Sequence, residues 1–200
     1  MDKLYEAAEF YKENLAGRKF HLIAVKNKKT IEFDIVFGVE NFKHLLGLNK
    51  LTDLQIGKVS SEAGFLQILG QKTTLKDIEK SQFYDLIAPR LDNFKDIKET
   101  LSSEELMVKS LHGEFNCIRA DFMLTGKNEE YGYAHLFLKG TDITFPVTFI
   151  IHPDNSYLRN NPNKWNVLSV EEIRRPEKSV QRTVSQSVTR KNRDRAVYNR

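Results

Sequence analysis

Apolar positions at spacings of three and four open the chain. Leu4, Ala7, Ala8, Tyr11 and Leu15 share one face of residues 3–16, which predicts an amphipathic helix stopped by Gly17. The period then falls to two. The stretches KFHLIAV and TIEFDIVF, on either side of KNKK, predict a hairpin, with Ile31, Phe33, Ile35 and Phe37 alternating and Gly38 ending the second strand. Residues 40–48 return to helical spacing through Phe42, Leu45, Leu46 and Leu48, and Gly47 weakens the last turn. SSEAGFLQILG predicts a short helix behind a serine cap. TTLKDIEKSQFYDLIAPRLDNFKDIKETL reads as helical throughout. Thr74 is its cap, Ser81 a second start, and Phe83, Leu86, Ile87, Leu91, Phe94 and Ile97 one face, with Pro89 as a kink.

After Ser102 the period changes from 3.6 to 2. ELMVKSL, FNCIRADFMLTG, YGYAHLFLKG and ITFPVTFII predict four strands. GKNEE and KGTD are tight connections, so the strands they join are antiparallel neighbours. Pro146 inside the fourth strand predicts an edge position or a bulge. VLSVEEIRRP reads as a last strand or a helical turn. The predicted fold class is α+β: an N-terminal helix and β-hairpin, a helical middle, then a four-stranded antiparallel meander. Residues 1–173 make one domain. Residues 174–200 have no glycine and no dense apolar face, and predict a disordered or marginally helical tail.

Composition narrows the class. A chain of 200 residues that is 40% apolar and 29% charged can bury a core without staples. Its single cysteine, Cys117, makes no internal disulfide and falls in a predicted strand, where it packs. No run approaches the length of a membrane span, and the acidic, amphipathic start lacks the pattern of a signal peptide, so a cytoplasmic protein with no membrane partner is expected. The net charge of +4 is uneven. Arg174–Arg200 holds nine basic and two acidic residues, a net +7, which leaves −3 on the rest. Such a tail suits an anionic partner, nucleic acid above all.

Metal and phosphate-loop chemistry find no support. There is no paired cysteine and no HExxH, and the five histidines, His21, His44, His112, His135 and His152, are scattered. Only HPD, His152 to Asp154, approaches a cluster. GLNKL and GQKTT lack a strand–loop–helix setting, and no G-x-S-x-G elbow occurs. No cofactor is expected. What remains is a set of histidine, lysine, arginine, threonine and tyrosine around an antiparallel sheet. Such a set can cleave RNA, because the 2′-hydroxyl is an internal nucleophile. Histidine can deprotonate it and protonate the leaving oxygen, while a cation stabilises the developing phosphorane charge.

FDIVFGVENFKHLLGLNKL resembles the characteristic block of the phage-encoded barnase–EndoU–colicin–RelE-like nucleases, in their fourth phage subgroup. There an F-x-H-L-x-G-L core follows a strand, as Phe42, His44, Leu45, Gly47 and Leu48 do here. FYDLIAPRL, ADF, YAHLFLKG and FPVTFI followed by Tyr157 are also similar, in the same order, so the resemblance runs from about Phe20 to Tyr157. It implies helices followed by a four-stranded antiparallel sheet, and a ribonuclease of toxin type from a phage or mobile element, with RNA and a cognate inhibitor protein as partners. On that reading His44 is acid or base, and Arg90 and Thr148 complete the catalytic set. Lys50, Arg119, Tyr133 and Tyr157 bind substrate.

Each residue also has a plainer role. His44 can dock its helix by a hydrogen bond at the helix end. Lys50 can shield helix-end carbonyls. Arg90 can pair with Asp85 or Asp92 on the surface. Arg119 and Asp121, two apart on one predicted strand, can be an ion pair. Tyr131, Tyr133 and His135 share a face that stacks bases if open and is core if covered. Thr144 and Thr148 can be simple strand formers. The alternative function is an inactive binding or adaptor module of a mobile element. Convergence of His, Arg and Thr in one cleft separates the two.

Overall fold

The computed structural model describes residues 2–108, 118–128, 130–154 and 163–173. Helix α1 (Lys3–Asn14) is capped by Asp2, whose carboxylate accepts the Leu4 and Tyr5 amides at 2.9 and 3.1 Å. The second carboxylate oxygen accepts Leu75 N–H at 2.8 Å and pins the later helices to this end. Strands β1 (Lys19–Lys26) and β2 (Lys29–Val36) form the hairpin. Its two-residue turn, Asn27 and Lys28, has φ of 49° and 64°, the type I′ pattern that matches strand twist. Short helices follow: α2 (Asn41–Leu46), α3 (Gln55–Lys58), α4 (Ser61–Leu69), α5 (Leu75–Ile78), α6 (Ala88–Asp92) and α7 (Ile97–Leu101). Then come β3 (Glu105–Val108), β4 (Phe122–Asn128), β5 (Gly132–Gly140), β6 (Ile143–His152) and β7 (Lys164–Glu172).

The predicted four-stranded meander is overturned. The described strands close into one barrel of seven, in the order β1-β2-β6-β5-β4-β3-β7, with β7 returning to β1. The β3-to-β6 run pairs antiparallel in sequence order, but it is a segment of that barrel and not a sheet of its own. Three long-range pairings close it. β7 lies between β3 and β1, and the end of β2 pairs parallel with the start of β6 over Asp34–Ile143 and Ile35–Thr144. The Thr144 hydroxyl donates to Asp34 O at 3.1 Å and locks the parallel step. Closure removes the exposed edges that an open hairpin and meander would leave. The VLSVEE stretch is therefore strand.

The long helix expected from Thr74 to Leu101 is also corrected. It is three short helices, with the 3-10 turns Tyr84–Leu86 and Phe94–Asp96 in the connections between them. Asp53 accepts the Ser81 hydroxyl at 2.6 Å and the Gln82 amide at 3.0 Å, which turns the chain after α5. Pro89 has no N–H to continue a ladder, and it opens α6 instead of kinking a longer helix.

One main core joins the helices to the inner barrel face. Tyr11, Phe42, Phe65 and Phe94 pack edge-on and tilted between the helices. Leu22, Ala24 and Ile35 meet Leu106, Leu124, Leu136 and Phe149 inside the barrel, and Phe33 stacks on Phe122 at 4.4 Å. A second cluster, Met107, Met123 and Phe137, lies on the outer face beneath Ile118 and Ala120. Pro146 marks a bulge in β6. Leu138 pairs with Pro146 and Phe137 with Thr148, which leaves Val147 as the extra residue.

Candidate active site

Helix α2 packs on β6, beside which β2 pairs only at the first two residues. The Asn41 side chain accepts Gly38 N–H at 2.7 Å and starts the helix. Phe42, Leu45 and Leu46 are buried in the core, and His44, on the opposite side of the turn, is exposed. Lys43 points the other way. It is 6% exposed, and its Nζ donates to Gly57 O at 2.9 Å and Val59 O at 2.5 Å. Burial lowers its pKa. It ties α2 to the end of α3 and is structural.

Gly47 ends α2 at φ +83°, with its N–H shared between Lys43 O at 3.1 Å and His44 O at 3.2 Å. A Cβ placed on Gly47 would lie 3.1 Å from Arg90 Nη1 and 3.1 Å from Ile87 Cγ2. The glycine backbone therefore rests on the arginine. Arg90 is 6% exposed, so its role as a surface ion-pair partner is corrected; its Nη1 donates to Thr148 Oγ1 at 3.2 Å. Lys50 follows in the 3-10 turn Leu48–Lys50. Lys50 reaches the surface, and its pKa is lowered first by partial desolvation and then by the Arg90 charge. Two cations held near each other are relieved by an anion between them.

Arg90, Thr148, Gly47 and Lys50 thus form one neighbourhood, with His44 one helical turn before Gly47 on the same helix. The remaining predicted residues sit elsewhere. Arg119 is exposed in the approach to β4, and Asp121 also precedes the strand, so their shared strand face is corrected. The Asp121 carboxylate accepts Gly140 N–H at 3.0 Å and holds the β5–β6 turn. Tyr131 lies just before β5. Tyr133 is half-buried on the outer face and stacks on His135 at 6.2 Å. Tyr157, Cys117, His112 and the tail from Arg174 lie outside the described residues.

His135 is fully buried, and burial above all, followed by His152, pushes its pKa down to about 4. Its Nδ1 lies 3.0 Å from Thr125 Oγ1. Strand alternation alone does not separate it from Tyr133, since both fall on the same face. A cavity of about 740 Å³ is lined by Glu99, Glu104 and Glu105 together with Lys127, Lys164 and Tyr133, a mixed charge set that does not single it out as a phosphate site. Among the described residues no group of three or more His, Cys, Asp or Glu is placed to hold a metal, and no helix is long and apolar enough to cross a membrane.

The family model described as phage-Barnase-EndoU-ColicinE5/D-RelE like nuclease4 matches residues 3–182. The chain belongs to this family. No curated protein matches it, and no solved structure does. The family is one of phage-associated nucleases, so nucleic acid is the substrate class its name gives. The matched range takes in the barrel, the helices and the Arg90–Thr148 neighbourhood.

Proposed function

We propose that this member of the nuclease family is a toxin-type endoribonuclease that cleaves RNA by acid–base transesterification, with His44 as acid or base. The observation that carries the reading is the Arg90–Thr148 contact under Gly47, with Lys50 beside it. A phosphodiester drawn between the two cations would have its charge matched as it grows in the transition state. The RNA 2′-oxygen attacks phosphorus, and its proton passes to a base. The 5′-oxygen leaves and takes a proton from an acid. The products are a 2′,3′-cyclic phosphate and a 5′-hydroxyl, and no external nucleophile is consumed. The exposed imidazole of His44 suits one of the two proton transfers. The basic tail adds affinity for the nucleic acid, and a cognate inhibitor protein is the partner such a toxin requires.

Purified protein on total RNA with a chelator present, beside His44→Ala, tests the reading. Fragments with cyclic phosphate ends are expected from the wild type, and a hundredfold or greater loss from the variant. Wild-type protein that leaves RNA intact would favour a binding or adaptor role.

A further inference from the structure

Strand β7 has nine residues and its neighbour β3 only four. The two pair over Glu105–Asn166, Leu106–Trp165 and Met107–Lys164, and Val167 N–H donates to Glu104 O at 2.9 Å. Past that point no described strand lies on the β3 side of β7, although β1 pairs with its other side as far as Glu172. Ile173 N–H donates to Lys19 O at 2.8 Å, so residues 173, 171 and 169 turn their backbone groups towards β1. Those of Val170 and Glu172 point the other way. Beside this edge is a cavity of about 530 Å³, lined by Ser102, Ser103, Glu104 and residues 166–170.

The side chains along the edge are also uncovered. Leu168, at the bulge between β7 and β1, is 64% exposed, and Ile173 is 42% exposed. Glu171 stands between them on the outer face, opposite His21. An unpaired edge flanked by exposed apolar side chains invites a further strand. A second copy of the chain fits poorly, because two β7 edges related by a two-fold axis would bring Glu171 of both copies to one short seam. The segment that follows β7 in the chain has the complementary pattern. Residues 179–184 read SVQRTV, with Val180, Arg182 and Val184 alternating with Ser179, Gln181 and Thr183. The family model runs to residue 182, past Ile173, the last described residue.

We propose that residues 179–184 dock on the free edge of β7 as an added antiparallel strand, with Arg182 opposite Glu171. That register sets Val180 beside Ile173, and Val184 beside Ser169 and Leu168. Each exposed apolar side chain gains an apolar neighbour, and Glu171 gains a cation. Gln181 and Thr183 fall at Glu172 and Val170, the two residues whose backbone groups face the edge. The connection is a four-residue loop, 175–178, and Pro176 suits the type I turn on which such loops are built. A slip of one residue would move all three side chains to the other face. The barrel closes without this strand, so the segment covers an edge and does not complete the core. Past Val184 the Ser102–Glu104 turn blocks the edge. Residues 185–200, with five basic side chains and one acidic, leave the barrel there and reach for an anionic partner from a defined point.

Disulfide trapping in the full chain, with Cys117→Ser removing the native thiol, tests the register. Ser169→Cys with Val184→Cys places two thiols at a directly opposed pair whose Cα atoms are about 4.5 Å apart, within disulfide reach. This pair should close within the monomer at least about tenfold faster than Ser169→Cys combined with Arg182→Cys or with Gln186→Cys. Equal rates for the three pairs, or a disulfide-linked dimer in place of the closed monomer, overturn the proposal. In the wild-type chain, hydrogen exchange at the Val170 and Glu172 amides should be at least about tenfold slower than in an unstructured peptide, at any protein concentration. Exchange at the peptide rate, or protection that grows with concentration, overturns the proposal even where the cysteine variants fail to fold.

Discussion

Arg90 and Thr148, 58 residues apart in sequence, meet through a hydrogen bond of 3.2 Å between guanidinium and hydroxyl. The contact joins a short helix opened by a proline to a strand just past its bulge. Both features re-aim side chains. Pro89 starts α6 so that the next residue is buried against Gly47, and the bulge moves Thr148 to the outer face. A charge buried to 6% exposure has lost most of its water and is held in one geometry. Such a group is arranged before substrate arrives, which is the condition for electrostatic stabilisation of a transition state.

Replacing this pair separates charge from geometry. Arg90→Lys keeps a cation but loses the planar fork that reaches both the Gly47 backbone and Thr148. RNA cleavage should fall by about a hundredfold. Thr148→Val keeps the shape and removes the acceptor, at a cost of about 1 kcal/mol in stability and a smaller rate loss. The double variant should lose less than the sum of the two in a denaturation and rate cycle, because one contact is being removed twice.

Gly47→Ala probes the close approach. The backbone there has φ +83°, and a methyl group would stand 3.1 Å from both Arg90 Nη1 and Ile87 Cγ2. The left-handed conformation alone costs about 1 kcal/mol for a residue with a Cβ, and displacement of the arginine adds to it. Urea unfolding should show a loss of about 1–2 kcal/mol. The rate should fall as well, even though residue 47 has no chemistry of its own.

Lys43→Met distinguishes the neighbouring lysine from the catalytic set. The variant would leave the Gly57 and Val59 carbonyls without the ammonium that now bonds both. An expected loss of about 2–3 kcal/mol follows from desolvated acceptors left unmade. Activity per folded molecule should stay near wild type. A large kcat loss in stably folded protein would move Lys43 into the site.

The buried His135 gives the fold an acid sensitivity with a defined window. Its pKa is pushed down to about 4 in the folded chain, below the ordinary histidine value. Between those two values the unfolded chain binds the proton and the folded one does not, so stability rises with pH across the window. The contribution is fully present above the ordinary histidine pKa, lost progressively as pH falls towards 4, and amounts to roughly 3 kcal/mol at most. His135→Leu should show a flatter dependence of the urea midpoint over that range. Equal slopes for the two proteins would remove His135 as the cause.

Deleting residues 177–200 tests the basic tail. That segment carries seven basic and two acidic residues, so up to five net positive charges, each displacing about one counterion, would make RNA affinity fall steeply with salt in the full chain. The truncated protein should bind with a flatter salt slope and unfold at nearly the same temperature. An unchanged slope would remove the tail from the RNA contact.

The sequence by itself determined the local pieces. Leu4, Ala7, Ala8 and Tyr11 at helical spacing gave α1 its buried face, and Phe33 and Ile35 gave β2 its own. Pro146 announced an edge position or a bulge, of which the structure has the bulge, and the block around His44 announced the nuclease family that the family match then showed. These are readable because helix and strand periods are properties of neighbouring residues. The tertiary structure decided what joins distant ones. Closure of the barrel depends on β7 fitting between β3 and β1 and on a two-residue parallel step from β2 to β6, and no local pattern encodes either. Arg90 has the sequence surroundings of a surface residue, with Asp85 and Asp92 close by in the chain. It is buried because Gly47, which has no side chain, lets a distant turn settle on it. Tyr133 and His135 look alike from alternation, yet one is partly exposed and the other has no solvent at all, since burial depends on what covers a face and not on which face it is.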